Sequence, residues 1–450
     1  MSFLESIKKE EKKNKSWLKK TAFYLFILAS VTIPLFYLPM VQDIINTSKL
    51  YLLYGFSLII LFLFLLDVLV SKELIIRKTF ILTPLLVFIG VGIISTIFSL
   101  IPSISLMGKT EIFVVSLASL VILVLWFWLL IQLITTTKEW QYIIDGLFIS
   151  ASIAGLIFLF HNISLIQLII PTELTNVISN SNSAFGIYMA VMGVLGLGFL
   201  QIKDRPWALQ ILPTITGLIS IVSLVQLGFQ IPLIIFAIGL GLLLMIGIVM
   251  LKSSHIPVIS TIFALFIGSI LIIFLGVPDF ATANLSSEVS INAKSSWNIV
   301  SDTVLEDIKT FLVGSGPGTF VQDFSKHRPQ SFNMNSLAWT TRFERPYNTL
   351  FAIAAEFGIL GLLAFVGLIF LALGGGFSGW LKTRPSVWEQ AKEKIKQPQQ
   401  SMKSFRMEAF VVIIGWICFT AGMFFTFYEI ALWWGWFTFL GLSIVGLASL

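Results

Sequence analysis

Apolar residues in this chain come in long runs that short polar segments separate. Each run holds roughly 20 residues, the length that an α-helix needs to cross about 30 Å of hydrocarbon. The pattern predicts twelve membrane-spanning helices, at residues 21–40, 50–70, 79–99, 112–134, 142–160, 184–202, 208–226, 231–251, 257–277, 348–373, 407–427 and 430–450.

The composition excludes a soluble protein of this size. Of the 450 residues, 57% are hydrophobic and only 12% are charged, too few to cover a soluble surface. The single cysteine, Cys418, falls inside a predicted span, so no disulfide framework is expected. We therefore predict an all-α polytopic membrane protein with four parts: a basic N-terminal segment (1–20), a nine-helix transmembrane region (21–277), a large extracytoplasmic loop (278–347) and a three-helix transmembrane region (348–450) that contains a cytoplasmic loop at 374–406.

Positive charges are distributed unevenly between the two sides of the predicted helices. With the N-terminus in the cytoplasm, 21 of the 29 Lys and Arg residues fall in cytoplasmic segments, and six of the other eight fall in the 278–347 loop. This bias predicts that both termini are cytoplasmic. The net charge of +6 then reflects topology and contact with anionic membrane lipids, so we expect no nucleic-acid partner.

The 278–347 loop is long enough to carry structure of its own, and function is most plausible there. Its first half reads WNIVSDTVLEDIKTFL from Trp297 to Leu312, with apolar residues at helical spacing and charged residues on the other face. This pattern predicts one amphipathic helix. The helix lies either on the outer leaflet or in the loop's own core.

A glycine-rich turn, VGSGPGTF at 313–320, follows this helix. Thr319, with Gln322 three residues later, matches a capping box and predicts a helix that begins at Phe320. Backbone N–H groups at such a helix start can bind phosphate, although the segment lacks the Gly-Lys-Ser/Thr ending of ATP-binding loops. A plain turn between two helices is the alternative. Three glycines permit the sharp turn: Gly314, Gly316 and Gly318.

Cationic side chains cluster after this turn and again at the end of the loop. Lys326, His327 and Arg328 close the short helix, and Arg342 and Arg345 stand in TTRFERPYN just before the tenth span. Positive charge is normally depleted on the outer side of a membrane, and a guanidinium matches the geometry of phosphate. The cluster suggests an anionic ligand at the membrane surface, such as a lipid diphosphate. Arginines that snorkel to lipid headgroups are the alternative.

With these residues, the chain resembles the O-antigen ligase and O-antigen polymerase family of bacterial membrane glycosyltransferases. The stretch WNIVSDTVLEDIKTFLVGSGPGTFVQDFSKHRPQSFN is similar to the family's outer-loop pattern, and WTTRFERPYNTLFAIAAEFGILGLL resembles the loop exit and the next span. NSNSAFGIYM at 180–189 resembles the family's Asn-rich start of a span. Twelve spans with a large outer loop before the last three also match, which implies a fold of the GT-C type.

The resemblance implies a reaction and a location. Family members transfer a glycan from undecaprenyl diphosphate to a glycan, lipid or protein acceptor on the outer face of the bacterial cytoplasmic membrane, without a metal, nucleotide or other cofactor. Arg342 and Arg345 become the candidates for stabilising the diphosphate leaving group. The candidate substrate-binding residues are Lys326, Arg328, Tyr347, Asn348, Gly316, Gly318, Thr319 and Glu356.

This chain departs from the family pattern at two places. Many members begin the span after the loop with His-Asn, where this chain has Tyr347 and Asn348, so His327 is the candidate replacement for the catalytic base. Ligases also tend to carry an arginine in the outer connection before the eighth span, and LVQLGFQIPL at 224–233 has none. Glu356, inside the tenth span, is either functional or paired, for instance with Arg345.

Two other functional classes stay open. A polysaccharide or lipid transporter, or a flippase, would place ionisable residues near the middle of the membrane, and apart from Glu356 the predicted spans are nearly free of them. A catalytically degenerate assembly protein would account for the missing histidine and arginine. His161 and His255 are isolated and lack the spacing of metal ligands, so no metal site is predicted.

Overall fold

The computed structural model shows an all-helical protein, with 77% helix and no strand in the residues that it describes. These residues are 16–41, 43–108, 116–161, 175–202, 206–249, 255–278, 281–283, 285, 288–334, 339–382 and 400–448. The helices are α1 (Trp17–Leu35), α2 (Asn46–Ser71), α3 (Leu82–Ile97), α4 (Pro102–Met107), α5 (Leu117–Leu133), α6 (Thr137–Leu159), α7 (Asn182–Leu200), α8 (Ile211–Leu227), α9 (Gln230–Val249), α10 (Ile256–Leu275), α11 (Ala293–Val304), α12 (Ile308–Val313), α13 (Phe320–Lys326), α14 (Gln330–Asn333), α15 (Thr349–Lys382), α16 (Gln400–Gly422) and α17 (Ile430–Ala448).

In the described part of the chain, nine helices are long and apolar enough to cross a membrane, and the chain is a multi-pass membrane protein. These nine are α1, α2, α6 to α10, α15 and α17. Three shorter apolar helices lie where the other three spans were predicted: Leu82–Ile97, Leu117–Leu133 and Met407–Gly422. The predicted apolar runs are therefore helical, whereas the count of twelve crossings stays a prediction.

Helix ends differ from the predicted segment boundaries in two regions. Helix α1 begins at Trp17, inside the segment that was predicted as a basic lead-in. Helix α15 runs to Lys382 and α16 begins at Gln400, so both ends of the predicted 374–406 loop are helical. A helix satisfies its backbone hydrogen bonds internally and can continue beyond the apolar stretch. The remainder of these two predicted segments, 1–15 and 383–399, lies outside the described residues.

Several helix connections meet at the end of the bundle that carries the 278–347 loop. At the end that carries the 278–347 loop, Ala283 N donates to Gln226 O at 2.8 Å and Thr349 N donates to Thr426 O at 3.1 Å. We call this end the loop end. The starts of α7, α9, α15 and α17 meet there with the ends of α8 and α16.

Helix α7 lies in the middle of the bundle, with nearly all of its residues buried. Glycines allow the neighbouring helices to approach its backbone closely, as is common between membrane helices. A Cβ atom at Gly196 would lie 2.6 Å from Pro213 O of α8, and one at Gly186 would lie 2.4 Å from Pro232 Cγ of α9. This close packing holds the start of α7 at a fixed place at the loop end.

The single amphipathic helix predicted from Trp297 to Leu312 is wrong, because the structure has two helices there, α11 and α12. Asp307 separates them by forming a capping box with Thr310. Its Oδ1 accepts a hydrogen bond from Thr310 N at 2.6 Å, and Thr310 Oγ1 accepts one from Asp307 N at 3.2 Å. The spacing of the apolar residues did not reveal that the Asp307 side chain binds a backbone N–H group and so starts a new helix.

The loop encloses a small hydrophobic core of its own. Leu305 and Ile308 belong to the apolar face of the predicted helix, and they lie outside this core with 73% and 79% of their surface exposed. The helix predicted to begin at Phe320 is confirmed as α13. The core packs the loop helices onto the first part of α15, and its buried members are Ile291, Ile299, Val300, Phe320, Phe324 and Ala355.

Candidate functional site

A cavity of about 810 Å³ lies at the loop end, within the range of roughly 300–1,000 Å³ that small-molecule sites occupy. We call it the loop-end cavity. Five segments line it: the residues before and at the start of α7, the α8–α9 connection, the two ends of the large loop, and the α16–α17 connection. Its polar and aromatic lining includes Asn180, Ser181, Ser183, Phe229, Gln230, Glu288, Ser290, Thr341, Arg342, Phe343, Glu344, Arg345, Tyr347, Phe425, Thr426, Phe427 and Glu429.

The cavity brings together sequence segments that lie far apart in the chain. The NSNS stretch near 180 and the 341–347 segment both carried the family resemblance, and both line the cavity. The 228–231 stretch, at the connection where ligases tend to carry an arginine, lines it as well and contributes Gln230. Of the candidate residues, Arg342, Arg345 and Tyr347 line the cavity.

Arg345 forms an ion pair with Glu429, the residue before α17. Glu429 is buried and also accepts hydrogen bonds from Ser179 Oγ at 2.6 Å and Asn180 N at 2.9 Å. Burial alone would raise the pKa of Glu429, but the charge of Arg345 and these hydrogen bonds lower it below its ordinary value. The charge of Arg345 is therefore largely compensated by a fixed carboxylate, and the alternative in which Glu356 pairs with Arg345 is not observed.

Arg342 is exposed and lies three residues before Arg345 on the same cavity wall. Within the part of the chain that the structure describes, it has no hydrogen bond or ion pair. The segment from 341 to 347 is not helical, so the two arginines do not share a helix face. Arg342 thus brings to the cavity a positive charge that the described protein groups do not compensate.

Glu288 lies at the other end of the loop and lines the same cavity. Its carboxylate accepts hydrogen bonds from Ser181 Oγ at 3.0 Å and from Asn182 N at the start of α7. Burial raises its pKa above the ordinary value, and the negative charge of Glu429 raises it further, although the two hydrogen bonds oppose this shift. Glu288 is an oriented carboxylate that faces a ligand-sized space.

The cluster Lys326, His327 and Arg328 does not line the cavity. Lys326 Nζ forms an ion pair with Glu306 Oε1, and His327 Nε2 lies 3.4 Å from Glu306 Oε2. Arg328 donates to Trp339 O at 2.8 Å. The structure therefore does not bring His327 to Arg342 and Arg345, and the loop itself supplies partners for this cluster.

The glycine turn is packed into the bundle and is also separate from the cavity. Residues 314–320 are all buried. Ser315 N donates to Ala355 O at 3.0 Å and Gly316 N donates to Glu356 O at 3.1 Å, so the turn pairs with the backbone of α15. That pairing occurs where α15 is interrupted at Gly358, whose φ is +65°. The turn is a docking element between the loop and the tenth predicted span.

Glu356 lies at the start of α13, where the sequence predicted that backbone N–H groups bind a phosphate. Its buried carboxylate accepts hydrogen bonds from the backbone N–H groups of Gly318 and Phe320 at the start of α13. The predicted capping box is wrong, since Thr319 Oγ1 donates to Gly316 O at 2.6 Å and does not cap the helix. A carboxylate from α15 therefore satisfies N–H groups that were expected to bind a ligand.

Tyr347 and Asn348, which replace the His-Asn pair, have different surroundings. Tyr347 lines the cavity, and its backbone N donates to Ser296 Oγ at 3.0 Å. Asn348 is buried, accepts from Phe351 N at 2.8 Å and donates to Phe424 O at 2.8 Å. Asn348 therefore caps the start of α15, whereas Tyr347 is available to a ligand in the cavity.

Two carboxylates of the site, Glu288 and Glu429, were not predicted from the sequence. One signal could have pointed to Glu429, because it is an acidic residue at the boundary of an apolar span on the side where arginines cluster. Nothing local marks Glu288. Its role depends on the start of α7, which lies more than a hundred positions away.

Comparisons with known proteins do not extend these observations. No protein-family model matches the chain, and no curated protein matches it with significant similarity. The site is therefore interpreted from its own geometry.

Proposed function

We propose that this protein is a membrane glycosyltransferase that transfers or polymerises a glycan from undecaprenyl diphosphate, as an O-antigen ligase or polymerase does. The acceptor is a glycan, a lipid or a protein side chain, and the reaction needs no cofactor. In this proposal all twelve apolar helices cross the bacterial cytoplasmic membrane, the fold is of the GT-C type, and both termini are cytoplasmic. The loop-end cavity then faces the outer side, where such donors are used.

The observation that carries the proposal is the state of Arg342 in the cavity. Arg345 is held by Glu429, whereas Arg342 has no such partner among the described residues and faces a space of ligand size. A guanidinium that protein groups do not neutralise attracts an anion, and it binds phosphate oxygens better than a neutral donor does. This supports a diphosphate at the 341–347 wall.

The rest of the lining suits the sugar that the diphosphate carries. Aromatic rings supply flat apolar surface, while amide, hydroxyl and carboxylate groups can fix the hydroxyls of a bound sugar. As the bond between the anomeric carbon and the diphosphate oxygen breaks, negative charge builds on the diphosphate. Arg342 is positioned to stabilise that charge, and removal of such a group typically slows catalysis about 100-fold or more.

Acceptor-dependent release of undecaprenyl diphosphate is the direct test. The purified full-length protein is placed in liposomes with a lipid-linked oligosaccharide, and wild type is compared with Arg342→Ala and Arg328→Ala. The two variants make the same substitution in the same loop, but Arg328 lies outside the cavity. We expect a loss of about 100-fold for Arg342→Ala and less than threefold for Arg328→Ala.

Two outcomes would overturn the proposal. Equal loss in both variants would show that the cavity cation has no special part in the reaction. If no donor is cleaved by wild type while labelled donor crosses the bilayer, the transporter or flippase class replaces the transferase. If donor is neither cleaved nor moved, the assembly-protein class replaces it.

A further inference from the structure

Among the residues that the structure describes, three carboxylates line the cavity, and glycosyl transfer needs one group to accept a proton. The acceptor hydroxyl is a poor nucleophile until a base removes its proton, and the histidine that many family members place after the loop is Tyr347 here. His327 lies outside the cavity beside Glu306. The base is therefore to be sought among Glu288, Glu344 and Glu429.

Glu429 is unsuited to accept a proton. It is buried, forms an ion pair with Arg345 and accepts two further hydrogen bonds, from Ser179 and Asn180. All of these contacts stabilise the charged form, so protonation would break an established network. Glu429 holds Arg345 in place rather than exchanging protons with a substrate.

Glu344 lies next to Arg345 in the chain, and its charge acts on that guanidinium. Its carboxylate is thus part of the electrostatic surroundings of a cation that Glu429 already binds. Because it lines the same cavity as Glu288, it provides a matched control for any substitution there.

Glu288 has the geometry that a base requires. It is exposed to the cavity side, and Ser181 Oγ and Asn182 N orient its two oxygens from the start of α7. Each carboxylate oxygen can accept a further bond, so an acceptor hydroxyl can still approach. The surrounding protein partly desolvates the carboxylate and thereby raises its pKa, which makes it a stronger base than an ordinary carboxylate.

We propose that Glu288 is the general base of the transferase. This inference rests on the proposed function. The acceptor O–H proton moves to a Glu288 carboxylate oxygen while the acceptor oxygen bonds to the anomeric carbon. The bond from that carbon to the diphosphate oxygen breaks, and the diphosphate leaves with the electron pair, stabilised by Arg342. Glu288 and Arg342 lie at opposite ends of the large loop, so both ends of the loop contribute to the site.

The test uses the full-length protein in liposomes and compares Glu288→Gln with Glu344→Gln. Both substitutions remove one cavity carboxylate and keep the side-chain size. Donor binding is measured by equilibrium binding of labelled lipid-linked oligosaccharide, and turnover by acceptor-dependent release of undecaprenyl diphosphate. We expect Glu288→Gln to bind donor as wild type does and to lose at least about 100-fold in turnover, and Glu344→Gln to lose less than about tenfold.

Sodium azide separates a base from a positioning group. Azide is a nucleophile without a proton to lose, so it does not need a base. We expect azide to restore release of undecaprenyl diphosphate in Glu288→Gln and to yield the glycosyl azide. Turnover of Glu288→Gln within threefold of wild type would overturn the inference and leave the transferase intact. Donor binding without azide rescue would make Glu288 a positioning residue only. An inactive wild type would refute the transferase itself.

Discussion

The large loop contains two regions with basic residues, and these regions differ in what surrounds the basic side chains. In the docked region, residues 293–328, the basic cluster and the glycine turn are bound to other protein groups. Lys326 pairs with Glu306, and Glu356 accepts hydrogen bonds from the backbone N–H groups at the start of α13. The cavity region, residues 341–347, lines a space of about 810 Å³ and contributes Arg342, which has no bound partner in the described residues.

This difference shows that a cluster of basic residues in the sequence does not by itself provide positive charge for an anionic ligand, because protein carboxylates can pair with it. Both regions contain basic residues, and the docked region has the more suggestive glycine turn. What separates Lys326 from Arg342 is that a protein carboxylate, that of Glu306, pairs with the lysine, whereas no carboxylate of the described residues binds Arg342. Four predictions test the distinction, from the largest expected effect to the smallest.

The largest effect is expected for Gly314→Ala, which tests whether the docked region depends on its turn. Gly314 has φ +78° and ψ −173°, a conformation that is almost exclusive to glycine, and an added Cβ would lie 2.3 Å from the carbonyl carbon of Glu356. We expect a loss of more than about 4 kcal/mol, seen as poor folding or a much lower Tm in detergent. Gly367→Ala in α15 is the control, because its Cβ would meet nothing within 4 Å. Equal Tm values for the two variants would contradict the docking described above.

The next largest effect on the free energy of unfolding is expected for Arg345→Met, which removes the cation that Glu429 binds. It leaves the Glu429 carboxylate buried without its counter-charge, which typically costs about 3–5 kcal/mol in the free energy of unfolding. The double variant Arg345→Met/Glu429→Gln should recover much of this loss, because no uncompensated charge then stays buried. Thermal unfolding of both proteins in detergent measures the coupling. Additive losses would mean that the two side chains do not stabilise each other.

The docked region should also be sensitive to pH through Asp323 of α13. Burial raises its pKa to about 7, only partly opposed by the hydrogen bond from Ser315 Oγ at 2.6 Å, while Glu306 raises it and Lys326 and Lys309 lower it. A carboxyl whose pKa is higher in the folded state binds more protons there. Its stabilising contribution is therefore complete below about pH 4 and is lost as the pH rises through about 7.

We expect the Tm of wild type to fall between about pH 4 and pH 7 more steeply than that of Asp323→Asn, which stays neutral throughout. Asp302→Asn, at an exposed position on α11, is the matched control and should retain the wild-type slope. Parallel Tm curves for wild type and Asp323→Asn would exclude this carboxyl as the source.

The smallest effect is expected for Lys326→Ala in the docked region. The lysine side chain is 51% exposed and its partner Glu306 is 34% exposed, and surface ion pairs contribute less than about 1 kcal/mol. Release of undecaprenyl diphosphate should be unchanged, in contrast to the loss expected for Arg342→Ala. A large loss of transfer activity would mean that the basic cluster, not the cavity, receives the diphosphate.

Much of the fold could be predicted because the hydropathy that places a helix in the membrane is a property of consecutive residues. A run of roughly 20 apolar residues has few alternatives to a helix in a membrane, where every backbone group must be bonded internally. The helix that begins at Phe320 was also predicted from its neighbours, although the capping box on which that prediction rested is wrong. The division of α11 from α12 was missed because the choice between continuing a helix and capping at Asp307 depends on a few weak local interactions.

Hydropathy and charge alone thus established an all-helical membrane protein and singled out one large polar loop, since both properties are read from neighbouring residues. The partners of the charged residues were decided only by tertiary structure. Arg345 and Glu429 are 84 positions apart, and Glu288 reaches the start of α7 across 106 positions. Electrostatic partners are set by distance in space, and only the packed helices bring these residues within bonding distance of one another. The same packing leaves Arg342 facing a cavity while Lys326 is paired.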